Sequence, residues 1–351
     1  MKEFWSRRIR DAVPYTPGEQ PKDRKFIKLN TNECPYPPSP KVLTAIQEAA
    51  NDRLRLYPDP ECRELRAAIA KREGLKPEQV FCGNGSDEIL AFAFQAFFDP
   101  GREVVFPQIT YSFYPVYTDF FGLDRREVPM NPDFSIPIDL LCGNSGGVVL
   151  ANPNAPTGIA VGLDVVEKIL RANPDVVVIV DEAYIDFGAH SAVGLIDKYP
   201  NLLVIQTASK SRALAGLRVG WSMGNENLIA ALRCVRDSIN SYTLDRLAQD
   251  GAKAAMEDEE YFQATRQKVM ATREWTAQAL KEKGFAVLPS QANFLFVRHP
   301  AHNGRELLDG LRAGGILVRW WDKPEIENWL RVSIGTQSEM EALVKALDEL
   351  I

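Results

Sequence analysis

The chain has 351 residues, 45% of them apolar and 25% charged, the balance of a compact soluble protein and not of a disordered or fibrous one. A single core stops growing near about 250–300 residues, so one large domain with a smaller companion is expected. Forty-one basic residues against 47 acidic ones leave a net charge of −6 with no basic tract, which argues against nucleic acid as a partner.

Six prolines stand in the first 38 residues. Proline fixes φ and removes a donor, so residues 1–38 are expected to form an extended arm, packed with the small domain, and no regular element. Ser39-Pro40 then supplies an N-cap and a first helical turn, followed by Val42, Leu43, Ile46 and Ala49 at helical spacing. A second helix over 62–73 stops at Gly74. Short apolar runs at 80–82, 103–106, 147–151, 176–180 and 202–205 alternate with helix-length segments, one of them over 88–98. Continuous Val/Ile/Leu runs mean burial on both faces, as in parallel strands covered by helices. Residues 39–236 therefore read as a large α/β domain built on a mostly parallel, doubly wound sheet, with 218–223 as an extra strand. From 237 to 351 the texture changes to a long charged helix over 257–282, whose Glu-Asp-Glu-Glu beginning reads as a solvated helix start. Strands follow at 285–288, 294–297, 316–319 and 329–334, with helices over 304–311 and 338–350: a smaller α+β domain.

Five scattered cysteines (Cys34, Cys62, Cys82, Cys142, Cys234), none spaced as C-x-x-C, argue against a disulfide framework or zinc cluster and for the reducing cytoplasm. Three histidines leave little material for a metal site. No apolar run approaches the ~20 residues of a membrane span, and the first residues lack a secretory signal.

In an open parallel sheet, ligands gather beyond the carboxyl ends of the strands. Four segments there carry chemistry. Gly83-Asn84-Gly85-Ser86-Asp87 joins a strand to a helix, where free backbone N–H groups and the helix dipole make an anion site; an ordinary capped turn reads the same way. Asp181-Glu182-Ala183-Tyr184 ends a buried strand. A desolvated Asp is costly there unless a cation or donor faces it, and a protonated heterocyclic nitrogen would serve, with Tyr184 near a neighbouring ring oxygen; the other reading is an N-cap. Thr207-Ala208-Ser209-Lys210-Ser211 ends the next strand, with Arg218 eight residues on. A lysine held at the edge of a core makes Schiff bases when neutral, while Thr207, Ser209 and Arg218 can clamp a phosphate. A surface lysine is the plain alternative, but it leaves the flanking hydroxyls unexplained. Asn152-Pro-Asn-Ala-Pro-Thr-Gly158 is a rigid turn carrying amides.

Taken together, and in this order, these segments resemble the fold-type I pyridoxal-phosphate (PLP) aminotransferases, most closely their histidinol-phosphate aminotransferase branch. Val13-Pro-Tyr-Thr-Pro-Gly18, Leu29-Asn-Thr-Asn-Glu-Cys-Pro35, Tyr57-Pro-Asp59, Ser290-Gln-Ala-Asn-Phe294, Ile316-Leu-Val-Arg319 and Leu330-Arg-Val-Ser-Ile-Gly-Thr336 also have counterparts there. The resemblance implies the fold-type I PLP-transferase fold and a reaction that exchanges the amino group between histidinol phosphate and 2-oxoglutarate/glutamate. Aromatic amino-acid transamination or threonine-phosphate decarboxylation are the other activities of that scaffold. It makes Lys210 the Schiff-base lysine and proton shuttle and Asp181 the partner of the ring nitrogen. Tyr111 is expected to stack on the ring and Tyr184 to reach its phenolic oxygen. Ser86, Asp87, Thr207, Ser209 and Arg218 are expected to hold the phosphate, with Tyr57 reaching in from the second subunit of a homodimer. Arg331 is expected to bind substrate anions, with Arg319 and Tyr15 assisting at the phosphate. Where the family has Asn before Pro-Thr-Gly this chain has Ala155, so the ring-oxygen bond comes from Asn154 or is missing. Cys34 likewise replaces a usual Asn. For Trp320-Trp321, packing in a core or interface is expected.

Overall fold

The computed structural model describes residues 4–10, 12–22 and 24–351. The arm contains a one-turn helix, α1 (Arg7–Arg10), and, against expectation, a two-residue strand, β1 (Ile27–Lys28). Next come α2 (Pro40–Ala49), capped by the Ser39 hydroxyl, and α3 (Arg63–Glu73), closed by Gly74 at φ +71°, a conformation glycine adopts without steric cost.

The large sheet and its helices follow: β2 (Val80–Asn84), α4 (Gly85–Phe97), β3 (Val104–Pro107), α5 (Phe113–Phe121), β4 (Arg125–Val128), β5 (Gly147–Ala151), α6 (Leu163–Ala172), β6 (Val178–Asp181), β7 (Leu202–Thr207), β8 (Val219–Gly224) and α7 (Glu226–Ile239). The strand order is β2-β8-β7-β6-β5-β3-β4. All pairs are parallel except the two made by β8, which lies antiparallel to β2 and β7. Both faces of β5 to β7 are buried, matching their unbroken apolar runs. The edge strand β4 is Arg-Arg-Glu-Val and gave no apolar signal. Residue 218 is not part of β8: Arg218 takes φ +55° just before it.

The helix expected over 257–282 is α9 (Glu259–Glu282), and directly before it runs α8 (Arg246–Glu257), which the sequence pattern did not mark. Asp258 between them is buried and accepts from the Ser39 hydroxyl and from Lys41 Nζ (2.7 Å), so this acid of the charged run is a tie and not a solvated face. The division drawn at 236/237 falls inside α7. The helix α8 beyond it packs on α2 and α3, and Leu244, Ala248, Ala252 and Met256 share the core beneath the large sheet.

A separate core lies under β9 (Ala286–Val287), β10 (Phe294–Arg298), α10 (Gly304–Ala313), β11 (Ile316–Leu317), β12 (Leu330–Ser333) and α11 (Gln337–Asp348). β12 and β9 flank β10 antiparallel, and β1 adds in parallel to β11, giving that strand's backbone groups a partner.

Candidate active site

A cavity of about 300 Å³ opens at the carboxyl ends of β5, β6 and β7, between the two cores and beneath the arm. Register sets its floor: Asp181 lies directly between Ala151 and Ile205 on the neighbouring strands. Its carboxylate accepts from Tyr114 Oη at 2.8 Å and from the Ala183 N–H at 3.2 Å. Burial dominates nonetheless and pushes the carboxyl up to about 6. Lys210, just past β7, extends Nζ toward the Thr31 carbonyl (3.3 Å) and lies 5.8 Å from the centre of the Tyr184 ring.

At one end of the cavity, Ser86 and Asp87 stand in the first turn of α4, where backbone N–H groups are free of intrahelical partners. Glycine lets the chain close up here. A Cβ on Gly220 would stand 2.5 Å from the Ser86 nitrogen, and Gly85 needs φ +81° with Arg218 against it. The Ser209 N–H donates to Thr207 Oγ1 (3.1 Å), holding both hydroxyls on the same rim. Arg218 Nη2 and Tyr111 Oη both bond the Asp87 carboxylate, at 3.2 and 2.8 Å.

At the other end stand two more arginines. Arg331 on β12 and Arg319 just after β11 face each other across an antiparallel bridge. Arg331 Nη2 donates to the Asn30 carbonyl and Arg319 Nη2 to the Thr16 carbonyl, both at 3.0 Å. Arg331 Nε is enclosed without a partner among the described residues, and burial lowers the guanidinium's proton affinity. An anion entering between the arginines would relieve both conditions. Tyr15 of the arm stacks on Phe113 at 4.3 Å and approaches Tyr111 at 6.4 Å, closing the cavity from above.

Twelve of the fourteen residues singled out in the sequence line this one cavity. Asn154 does not. Its Oδ1 accepts from Thr110 Oγ1, and its Nδ2 donates to the Ile109 carbonyl and Thr157 Oγ1. The amide is spent inside its own loop, and Ala155 and Pro153 face the cavity instead. Tyr57 is also absent from the cavity of its own chain. It is 79% exposed and stacks on Tyr242 at 4.5 Å. Two residues escaped the sequence reading. Tyr114 sits in an aromatic run where nothing marks which ring meets the acid. Asn32 donates to Tyr184 Oη (3.0 Å) and accepts from Ser333 Oγ (2.8 Å); its φ of +54° is the left-handed conformation Asn tolerates better than most residues.

The family description "Aminotransferase class I and II" matches residues 24–347. The chain belongs to this family. Within it, the chain is 52% identical to the histidinol-phosphate aminotransferase of Clostridium acetobutylicum over 351 residues, all of both chains. It is 53% identical to histidinol-phosphate aminotransferase 1 of Pseudomonas fluorescens, again over the full length of each. The crystal structure of the Sinorhizobium meliloti histidinol-phosphate aminotransferase in complex with pyridoxal 5′-phosphate superimposes with a TM-score of 0.85 at 28% identity, covering 93% of this chain and 91% of that one. The family resemblance and the fold class expected from the sequence are thus borne out. Among the described residues no helix is long and apolar enough to cross a membrane.

Proposed function

We propose that this chain is a PLP-dependent histidinol-phosphate aminotransferase, interconverting L-histidinol phosphate and 2-oxoglutarate with imidazole-acetol phosphate and L-glutamate in histidine biosynthesis. The full-length relatives support the reading, and one observation carries it: a single cavity has an anion cradle at each end and a lysine beside a strand-end acid between them.

The residues fit the cofactor. The N–H groups of Ser86 and Asp87 and the hydroxyls of Ser86, Thr207 and Ser209 would form a donor set for its phosphate together with Arg218, which the Asp87 carboxylate holds, on a turn so close to β8 that a Cβ at Gly220 would stand 2.5 Å from the Ser86 nitrogen. Asp181 is a buried acid whose ionised form is costly until a cation meets it, which suits a protonated ring nitrogen. When bound, PLP supplies an electron sink that acidifies the donor's Cα–H. Lys210 Nζ would hold the cofactor covalently and, as a free amine, would take the proton from that Cα. Tyr111, held by Asp87, would stack on the ring, and Tyr184, held by Asn32, would donate to its phenolic oxygen. Arg331 orients the substrate anion, a carboxylate in one half-reaction and a phosphate in the other, and Arg319 and Tyr15 assist with the phosphate. The arm over the cavity helps exclude water.

The reading extends to a homodimer. Leu54, Leu56, Tyr57, Ile239 and Tyr242 are all large, apolar or aromatic, and exposed, a patch of the kind that subunits cover. Tyr57 would then reach the partner's phosphate site. The cytoplasm is the proposed compartment. The large domain is proposed to run through α8, with the small domain from α9 onward.

The test is steady-state transamination of histidinol phosphate beside tyrosine and phenylalanine, with borohydride trapping of the loaded protein. Preferred use of histidinol phosphate and a pyridoxyl adduct on Lys210 are expected, and Lys210→Ala should hold the cofactor without turnover. Better use of an aromatic amino acid refutes the substrate; an adduct elsewhere refutes the site.

A further inference from the structure

Two arginines directly opposite one another on a β-bridge are an unfavourable arrangement, because like charges paired across strands repel and burial strengthens the repulsion. Arg319 and Arg331 are so paired, each backbone N–H donating to the other's carbonyl at 3.0 and 2.8 Å. Each guanidinium has a carbonyl of the arm at one nitrogen. Neither carbonyl explains how the two are held side by side.

The ring of Trp321 does. The guanidinium carbon of Arg319 lies 5.4 Å from its centroid and that of Arg331 lies 5.2 Å away, within the range where the negative face of an indole attracts a cation. The ring is itself backed by Phe296, edge-on at 6.5 Å, in a cluster with Phe134, Ile326 and Trp329. Trp320 does something else. Its indole N–H donates to the Glu327 carbonyl (2.6 Å) and its face carries Arg305 at 5.3 Å, which is packing against α10. Trp321 is not among the residues that line the cavity, and its contact with the site runs through the two arginines.

We propose that Trp321 is a positioning residue that holds Arg319 and Arg331 at a fixed spacing as a paired-guanidinium site for a dianionic phosphate monoester, while a carboxylate at the same place needs Arg331 alone. The proposal rests on the reading that these arginines face the substrate anion, and deepens it. A phosphate monoester presents three oxygens and nearly two charges, enough for two forks, whereas a carboxylate fills one. Loss of the ring therefore harms phosphate binding selectively.

The test uses the PLP-loaded protein, in which the cofactor fills the other anion cradle, and measures calorimetric affinity for inorganic phosphate and, separately, for glutarate. Trp321→Leu is expected to weaken phosphate about tenfold and glutarate no more than about twofold, and Trp321→Phe to stay within about threefold of wild type for both. In turnover, Trp321→Leu raises KM for histidinol phosphate with kcat unchanged, and melting temperatures show that each variant is folded. Equal weakening of both ligands, an unchanged phosphate affinity, or Phe proving as harmful as Leu overturns the proposal. If phosphate is discriminated as expected but the wild-type protein does not transaminate histidinol phosphate, the substrate assignment falls and the role of Trp321 stands.

Discussion

Asp181→Asn separates what the strand-end acid costs the fold from what it does for the reaction. In the unfolded chain this carboxyl ionises near 3.8, whereas burial raises it in the folded chain to about 6. Between those values the folded state binds more protons than the unfolded one. Raising the pH therefore removes stability across that window, and the loss levels off above about 6. The shift corresponds to about 3 kcal/mol in the cofactor-free protein at neutral pH. An amide keeps the shape and still meets Tyr114 and the Ala183 N–H, because the phenol can turn to accept, and it never ionises. The difference in melting temperature between Asp181→Asn and wild type should consequently grow in favour of the variant from pH 4.5 to 7.5. About 2 kcal/mol of this falls between pH 4.5 and 7.5, and unfolding entropy scales at about 2.1 cal/mol/K per residue, so for 351 residues the growth is about 2–3 °C. Differential scanning calorimetry of both cofactor-free proteins across this range measures it, and taking the difference cancels every other titration. In the loaded protein the same change should cut turnover by about 10²-fold or more, since a fixed charge at the reacting ring is lost. A difference that does not change with pH, or that moves toward wild type, refutes the argument that burial leaves this acid destabilising until a cation meets it.

Other outcomes follow from the same geometry. Tyr114→Phe removes a donor from the carboxylate and should raise Asp181 by a further ~1 pKa unit, the size of one hydrogen bond to a charged group; carboxyl ¹³C NMR of the cofactor-free protein reads this directly, and an unmoved titration excludes Tyr114 from that role. Gly220→Ala drives a methyl to 2.5 Å from the Ser86 nitrogen, so it should cost about 1–3 kcal/mol of stability and weaken cofactor affinity at least about tenfold in equilibrium dialysis; unchanged affinity would mean that the phosphate does not use this cradle. Arg331→Ala should raise KM about 100-fold for both glutamate and histidinol phosphate, while Arg319→Ala should affect only the phosphate-bearing donor. An Arg331→Ala effect confined to one substrate contradicts its dual role.

The strand-end motifs were legible because a buried parallel strand announces itself as an unbroken Val/Ile/Leu run, and its next residues then have a known address. Lys210, Asp181, Ser86 and Arg218 are marked by this pattern, and all four line the cavity. Asn154 failed because sequence gives the position of an amide but not its direction; Thr110, Ile109 and Thr157 claim it from within the loop. Tyr114 was missed for the converse reason. Of the aromatic residues from 111 to 121 only one reaches Asp181, and choosing it needs the turn geometry of α5. The allegiance of α8 was hidden because its contact face is made of small residues. A Cβ on Gly251 would stand 2.9 Å from Ile46, so the helix approaches α2 by lacking bulk, which a reading keyed to large apolar side chains overlooks.

The short strand β12 acts as a gauge. Arg331 and Ser333, two positions apart, share a face of it. The first projects into the cavity and the second grips Asn32, which in turn fixes the phenol of Tyr184. On the proposed reading, the span from the substrate-anion arginine to the cofactor's ring is thereby tied to one backbone repeat of about 7 Å, a length no side-chain substitution in β12 can alter. A molecule one or two bonds longer would have to be admitted by reshaping the arm, which makes residues 12–22 the place where this scaffold can change its clientele while its chemistry stays put.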